Sequence, residues 1–219
     1  RQHMLAPGTP YATPYYINEG PQSGPTVVVV GGVHGNEIAG YHSARRFIDV
    51  IPKRGTLIVI PEANRLGIES NARNGGHPGD LNRDFPRSRS GKPQSVLAES
   101  IWEVMQKHRP DYLFDLHEGY DFHRLNSNSV GQTIIYYPTG NAKSMAQTMQ
   151  QAVNASISRS GHRFALLRYP IQGSLARAAG IVFGTKAMIL ETSRKQTLDT
   201  RITQHVTMVN AALERLEMR

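Results

Sequence analysis

Runs of apolar residues along the chain predict buried strands that are separated by amphipathic helices. Residues 26–30 form a β-branched run without alternation, which is typical of a strand buried on both faces, and residues 56–60 form a second one. Between the two runs, Ile38, Ala44 and Ile48 recur at the spacing of one helix face. A change from strand to helix pattern and back indicates a layered α/β structure.

The same alternation continues to the end of the chain. Four shorter strands are predicted, at residues 112–115, 133–137, 164–167 and 187–190. Three further helical stripes are predicted, at residues 97–108, 145–157 and 202–216. We therefore predict an α/β fold with a mixed, largely parallel central sheet flanked by helices. Without repeats or linkers, residues 1–219 are predicted to form a single domain, with residues 1–25 as an irregular lead-in rich in Pro, Gly and Tyr.

Composition restricts the chemistry. The chain has 219 residues and no cysteine, which excludes disulfides, thiolate catalysis and cysteine-based zinc sites, so any metal site must use His, Asp and Glu. A net charge of +8 is compatible with nucleic acid or acidic substrates, but the basic residues are scattered and aromatic residues are few. We predict no nucleic-acid partner, and a basic nucleic-acid binder is the weaker alternative. No apolar run approaches the roughly 18 residues of a spanning helix, so no membrane insertion is predicted.

The start of the chain bears on its compartment. The sequence begins at Arg1, not at a methionine. Together with the high isoelectric point, this favours an exported bacterial protein, periplasmic or secreted and acting near the cell wall, with a cytoplasmic protein as the alternative.

Polar residues follow several of the predicted strands. In a largely parallel sheet, ligands bind beyond the carboxyl ends of the strands, which points to residues 31–37, 61–83, 116–123 and 191–195. The polar stretch of residues 61–94 is longer than an ordinary connection, and loops of that length in compact domains are usually functional. These segments are therefore predicted to meet at one site.

His34 and Glu37 lie three residues apart where the first buried strand gives way to a helix. Side chains at this spacing share one helix face, so both can reach one ion. The alternative is a structural glycine turn, in which Glu37 simply favours the positive end of the helix dipole. A phosphate-binding loop is less well supported because the segment lacks the motifs of such loops.

His117 directly follows another buried strand and strengthens the metal interpretation. A lone histidine at a strand end is more often structural than a ligand. Together with His34 and Glu37, however, it completes the two-histidine, one-glutamate set of catalytic zinc sites. We therefore predict one zinc ion. The chain has no HExxH zinc motif and no GxSxG elbow, and nothing in the sequence marks a Ser-His-Asp arrangement.

Four motifs occur in a fixed order over residues 26–195: GGVHGNE, then RN followed by DLNRDFP, then DLHEG, and then ILET. With them the chain resembles the zinc carboxypeptidase superfamily, in particular its compact succinylglutamate desuccinylase/aspartoacylase-like and murein-peptide-amidase-like members. The resemblance implies a zinc hydrolase of amide bonds. It also implies that His34, Glu37 and His117 are the zinc ligands, and that Asp80 hydrogen-bonds a zinc histidine.

The remaining site residues are likewise those that the resemblance implies. Asn82 and Arg83 match the pair that holds the terminal carboxylate of the substrate, and Arg73 matches the arginine that polarises the scissile carbonyl. Glu191 matches the general base, and a carboxylate that ends an apolar strand is costly unless it is paired or catalytic. Tyr169 matches the mobile tyrosine that closes over the substrate in carboxypeptidases.

The substrate stays open between classes. A metallocarboxypeptidase or murein peptide amidase would cleave a small peptide, cell-wall peptides included, next to a C-terminal amino acid. A deacylase would cleave an N-acyl amino acid. Tyr169 and the segment Gly173–Ser174 favour the peptidase. Arg177 departs from the family pattern and suggests an acidic or diaminopimelate-like substrate side chain, unless it is simply exposed. The alternative of another class is a catalytically silent zinc- or anion-binding module.

Overall fold

One sheet of eight strands forms the centre of the protein, as described by a computed structural model of residues 1–219. The strands are β1 Gln2–Leu5, β2 Thr13–Glu19, β3 Gln22–Gly31, β4 Arg54–Ile60, β5 Tyr112–Gly119, β6 Thr133–Tyr136, β7 Ala165–Arg168 and β8 Lys186–Ser193. Across the sheet they lie in the order β1-β2-β4-β3-β5-β8-β6-β7.

Four adjacent strands, β4, β3, β5 and β8, are parallel to one another. At one edge β2 and β1 add antiparallel strands, and at the other edge β6 runs antiparallel to β8 while β7 runs parallel to β6. The prediction of a mixed, largely parallel sheet is confirmed. Because the four central strands are parallel and adjacent, the polar segments that follow them all lie on the same side of the sheet, at the carboxyl ends of these strands.

Helices cover both faces of the sheet: α1 Ile38–Arg45, α2 Arg65–Glu69, α3 Val96–His108, α4 Ala142–Asn154, α5 Leu175–Phe183 and α6 Leu198–Arg215. One apolar core contains buried residues of α1, α4 and α6, such as Met145 and Val209. The other contains buried residues of α3 and α5, such as Ile101 and Ala179. None of the helices combines the length and the apolar character that crossing a membrane requires.

The first 25 residues correct the prediction of an irregular lead-in. They contain β1, β2 and the start of β3, and Tyr16 of β2 pairs with Val59 of β4. Tyr15 is buried in the core below this edge. The prediction was wrong because the partner strand lies far along the chain, whereas Pro and Gly dominate the local pattern. Helix α5, rich in Ala and Gly, was likewise not indicated by a local stripe.

Candidate metal centre and active-site cavity

The loop between β3 and α1 carries His34 and Glu37. It begins after Gly31 and passes so close to α2 that Gly35 lies against Gly67. A Cβ atom at residue 35 would fall 1.9 Å from the carbonyl carbon of Gly67, so only glycine permits this approach. The glycines of the motif therefore place the two polar side chains between the strand ends and the long loop.

His34, Glu37 and His117 converge on one point. Nδ1 of His34 lies 2.8 Å from Oε1 of Glu37, and Nδ1 of His117 lies 2.8 Å from Oε2 of the same carboxylate. The three candidate ligand atoms all lie within 4.8 Å of one another, and all three residues are buried. The structure thus brings together the three residues that the sequence selected as metal ligands.

The outer nitrogen of each histidine faces a carboxylate. Nε2 of His34 is hydrogen-bonded to Oδ1 of Asp80 at 2.8 Å, as the resemblance implied. Nε2 of His117 lies 2.9 Å from Oδ2 of Asp115, an ion-pair contact. Such partners fix the ring orientation and direct the inner nitrogen toward a metal. Two histidines oriented this way beside a glutamate fit the donor set of a catalytic zinc site.

Asp115 was not selected from the sequence, although a signal was present. It lies two residues before His117 in β5, so both side chains lie on the same face of the strand. Asp115 is fully buried, and a buried carboxylate in a central strand requires a partner.

The ionisable groups around Glu37 shift one another's pKa values. Burial opposes ionisation of Glu37, but the charges of His117 and His34 hold the pKa of Glu37 well below its ordinary value. Burial likewise opposes the charge of His117, yet Asp115 and Glu37 hold its pKa well above the ordinary value of a histidine. For Asp80, the hydrogen bond and charge of His34, followed by Arg73, outweigh burial and lower the pKa.

A cavity of about 340 Å³ opens beside the cluster, and Glu191 lies on its wall. Glu191 of β8 stands in register with His117 of the neighbouring strand β5. Its Oε2 atom is buried without a hydrogen-bond partner. Burial raises the pKa of Glu191 to about 8. A carboxylate with a pKa near neutrality can accept a proton and release it again.

Arg73, Asn82 and Arg83 also line the cavity. Arg73 donates to Oδ2 of Asp80 at 3.1 Å and to Oε1 of Glu37 at 3.4 Å, which places its guanidinium beside the candidate metal ligands. Arg83 is held by its own neighbour, because its Nη1 donates to the backbone oxygen of Asn82 at 2.8 Å. Asn82 is fixed in turn, since its side-chain oxygen accepts from the backbone nitrogen of Leu175 at 3.2 Å.

Tyr169 lies at the mouth of the cavity and is half exposed. The guanidinium carbon of Arg177 lies 4.6 Å above its ring, and Nη1 of Arg177 donates to the backbone oxygen of Pro170 at 3.2 Å. Tyr169 also meets the edge of Tyr137, which packs so closely on Gly180 that a Cβ there would lie 2.3 Å from the ring. Arg177 contacts this tyrosine and does not line the cavity, so the geometry does not support its direct contact with a substrate side chain.

Two further charged residues near the cluster were not predicted. Nη2 of Arg194 lies 4.0 Å from Oε1 of Glu37 and donates to Oδ1 of Asn36 at 3.4 Å. The backbone nitrogen of Glu118 donates to Glu37 at 3.0 Å, and its buried side chain pairs with Arg201. No local sequence pattern predicts these contacts, because each of them joins residues from separate elements of the fold.

Comparison with known families agrees with the motifs. Residues 23–213 match the model of the succinylglutamate desuccinylase/aspartoacylase catalytic domain. No curated protein sequence matches the chain at a significant level.

Solved structures show the same fold. The cell-shape determinant protein Csd4 of Helicobacter pylori superposes with a TM-score of 0.82 at 20% sequence identity, over 94% of this chain and 55% of that one. Csd4 is described as a D,L-carboxypeptidase, and one of its structures has mDAP bound. A succinylglutamate desuccinylase from Silicibacter superposes with a TM-score of 0.70 at 18% identity, over 94% of this chain and 61% of that one. The chain thus spans about half the length of Csd4.

Proposed function

Because the chain belongs to the succinylglutamate desuccinylase/aspartoacylase catalytic-domain family, we propose that it is a zinc-dependent hydrolase of amide bonds. His34, Glu37 and His117 would hold one ion. A zinc ion at such a site activates water and polarises a carbonyl group. The observation that carries the proposal is that this complete ligand set and the buried, unpartnered carboxylate of Glu191 line one cavity.

Glu191 is the proposed general base. Its position beside His117 in the sheet places its carboxylate next to the metal ligands. In the proposed reaction, Glu191 takes a proton from the attacking water and passes it to the leaving nitrogen. A buried carboxylate whose Oε2 has no other hydrogen-bond partner is free to make both transfers.

The arginines and Tyr169 are proposed to bind and orient the substrate. Arg73, beside Glu37, is placed to stabilise the negative charge that develops on the carbonyl oxygen. Arg83, positioned by Asn82, offers a two-pronged donor for the substrate carboxylate. Tyr169 would cover the bound substrate from the cavity mouth.

Two substrate classes remain candidates. We favour a small peptide cleaved next to a carboxylate-bearing residue, because Tyr169 stands at the mouth and because Csd4, described as a D,L-carboxypeptidase, shares the fold. The second candidate is an N-acyl amino acid, since the family model and the similar structure from Silicibacter carry desuccinylase names. An exported protein that acts on cell-wall peptides stays a prediction from the sequence.

The test joins metal analysis to a substrate screen. The purified protein is loaded with zinc, its metal content is measured, and peptides and N-acyl amino acids are assayed with and without a chelator. We expect one zinc ion per chain and hydrolysis that chelation abolishes and added zinc restores. Zinc binding without any hydrolysis would favour the silent binding module. Salt-dependent DNA binding without a bound metal would favour the nucleic-acid alternative.

A further inference from the structure

The cavity has two chemically different ends. One end holds the metal ligands, Glu191 and the arginines. The other end is lined by apolar side chains from three neighbouring strands: Ile189 of β8, Ile135 of β6 and Leu167 of β7. We refer to Ile135, Leu167 and Ile189 as the apolar floor.

Sheet register makes the apolar floor continuous. Ile135 pairs with Ile189 on one side and with Leu167 on the other, so the three side chains form one row across the sheet. With strands spaced by about 4.8 Å, this row spans about 10 Å. Ile189 lies two residues before Glu191 and therefore on the same face of β8. The apolar floor thus begins directly beside the proposed general base.

Apolar side chains also lie at the exposed rim of the cavity. Val130 and Ile171, which also line the cavity, are 37% and 50% exposed. Exposed apolar side chains around an apolar floor provide a surface that excludes water once a ligand covers it.

Three arginines line the cavity, Arg73, Arg83 and Arg168, and none of them is free to pair with a group on the apolar floor. Arg73 is bound to Glu37 and Asp80, and Arg83 is the proposed partner of the substrate carboxylate. Arg168 lines the cavity next to Leu167, but it is exposed, and alternation along β7 directs its side chain to the opposite face of the sheet from Leu167. Leu166 lies on that opposite face and packs against the apolar core that contains residues of α1, α4 and α6, in agreement with this alternation.

We propose that the apolar floor selects substrates in which the carboxylate-bearing amino acid has an uncharged aliphatic side chain. The inference rests on the proposed function and applies to both candidate reactions, because each contains such an amino acid. With its carboxylate on Arg83 and its amide at the metal cluster, its side chain is left to the apolar end of the cavity. An acidic side chain there would lose water without gaining a cation.

The test uses substrates that differ only in one side chain of similar size. Zinc-loaded protein is assayed with peptides that end in Leu, Asn or Asp after identical preceding residues, and with N-acetylated Leu, Asn and Asp. We expect kcat/KM for the Leu substrate to exceed that for the Asp substrate at least about tenfold, with Asn between them. An Asp substrate that is cleaved as well as or better than the Leu substrate overturns the inference and leaves the proposed hydrolase intact.

Variants test whether the apolar floor causes the preference. Leu167 is half-buried on β7, the last strand of the sheet. Leu167→Lys should move the Leu-to-Asp ratio toward Asp at least about tenfold, because a lysine can pair with the acid. Ile51→Lys places the same change at a side chain that is 72% exposed and absent from the cavity, and it should leave the ratio unaltered. If Leu167→Lys does not fold, Leu167→Ala should lower kcat/KM for the Leu substrate alone; an unchanged ratio in the folded variant overturns the inference.

Failure of the proposed function is recognised separately. If zinc-loaded protein cleaves none of the substrates, the hydrolase proposal fails, and thermal unfolding with free leucine or free aspartate decides the second question. Stabilisation by leucine only supports the apolar floor as a binding surface. Stabilisation by aspartate only, or by neither, overturns it.

Discussion

Replacing Asp115 by Asn should weaken zinc binding without removing any metal ligand. Asp115 is fully buried in β5, and its Oδ2 lies 2.9 Å from Nε2 of His117. Asparagine has the same shape and can still accept from the ring, so the orientation of His117 should survive. What is lost is the negative charge, which makes the imidazole a stronger donor to the ion.

The expected loss follows from this contact. Removing a carboxylate partner of a metal-binding histidine costs about 10- to 100-fold in metal affinity, which corresponds to about 1.4–2.8 kcal/mol. The contact between Asp115 and His117 is short and buried from solvent, which favours the upper half of that range. Nδ1 of His117 remains free to bind in the variant, so some affinity should persist.

Zinc affinity is measured by competition with a chromophoric chelator at fixed pH. Asp111→Asn is the matched control, because Asp111 lies just before the same strand and accepts from the backbone of Thr26 at its far end. The control should bind zinc like the wild type. An Asp115→Asn protein whose zinc affinity lies within about twofold of wild type would refute the role of this carboxylate.

The same variant has a pH signature in the metal-free protein. The pKa of His117 is raised above its unfolded value of 6.5, with Asp115 as the largest favourable cause. Stability from a raised pKa is fully present below the unfolded pKa and is lost as the pH rises through the folded one. Asp115→Asn should therefore destabilise the metal-free protein most below pH 6.5 and progressively less in alkaline solution. Urea unfolding at both ends of this range measures the difference, and a pH-independent cost would contradict it.

Three further predictions concern activity. Glu191→Gln should keep zinc but lower kcat at least about 100-fold, because glutamine cannot carry the proton; metal analysis and turnover test this, and near-wild-type turnover would disprove the general base. Arg83→Lys should raise KM about tenfold because the two-pronged contact is lost, and a KM that stays constant would exclude Arg83 as the carboxylate partner. Arg177→Ala should reduce kcat a few-fold by releasing Tyr169, and it should leave the Leu-to-Asp ratio unchanged. Arg177→Lys keeps a cation over the ring and should recover part of the lost kcat. A shifted Leu-to-Asp ratio in Arg177→Ala would instead indicate that Arg177 contacts the substrate.

Much of the fold and the metal cluster could be predicted from the sequence. The unbroken β-branched run at Val27–Val30 signals a strand buried on both faces, because no side of it tolerates a polar residue. His34 and Glu37 could be joined because they are only three residues apart in the chain, and the loop before α1 brings their side chains together. His117 could be added because parallel strands end at one edge of the sheet.

Other features escaped the sequence because their causes are not local. Strand β2 forms because β4, some forty residues further along, offers it a free edge. The stacking of Arg177 on Tyr169 depends on how α5 lies against the loop before it, so charge alone suggested a substrate contact instead. Asp115 could have been found, since its two-residue spacing from His117 is a local feature.

The sequence alone determined which side chains can hold a metal, because ligand type belongs to each residue and its place at the end of a buried strand can be predicted from the local pattern. Only the tertiary structure decided what surrounds them. The apolar floor joins Ile135, Leu167 and Ile189, which are widely separated in the chain and meet only because β6 lies between β8 and β7. Strand order is set by the packing of whole layers, and no periodicity within one segment encodes it. The candidate metal ligands could therefore be chosen from the sequence, whereas the preference proposed for an aliphatic side chain required the fold.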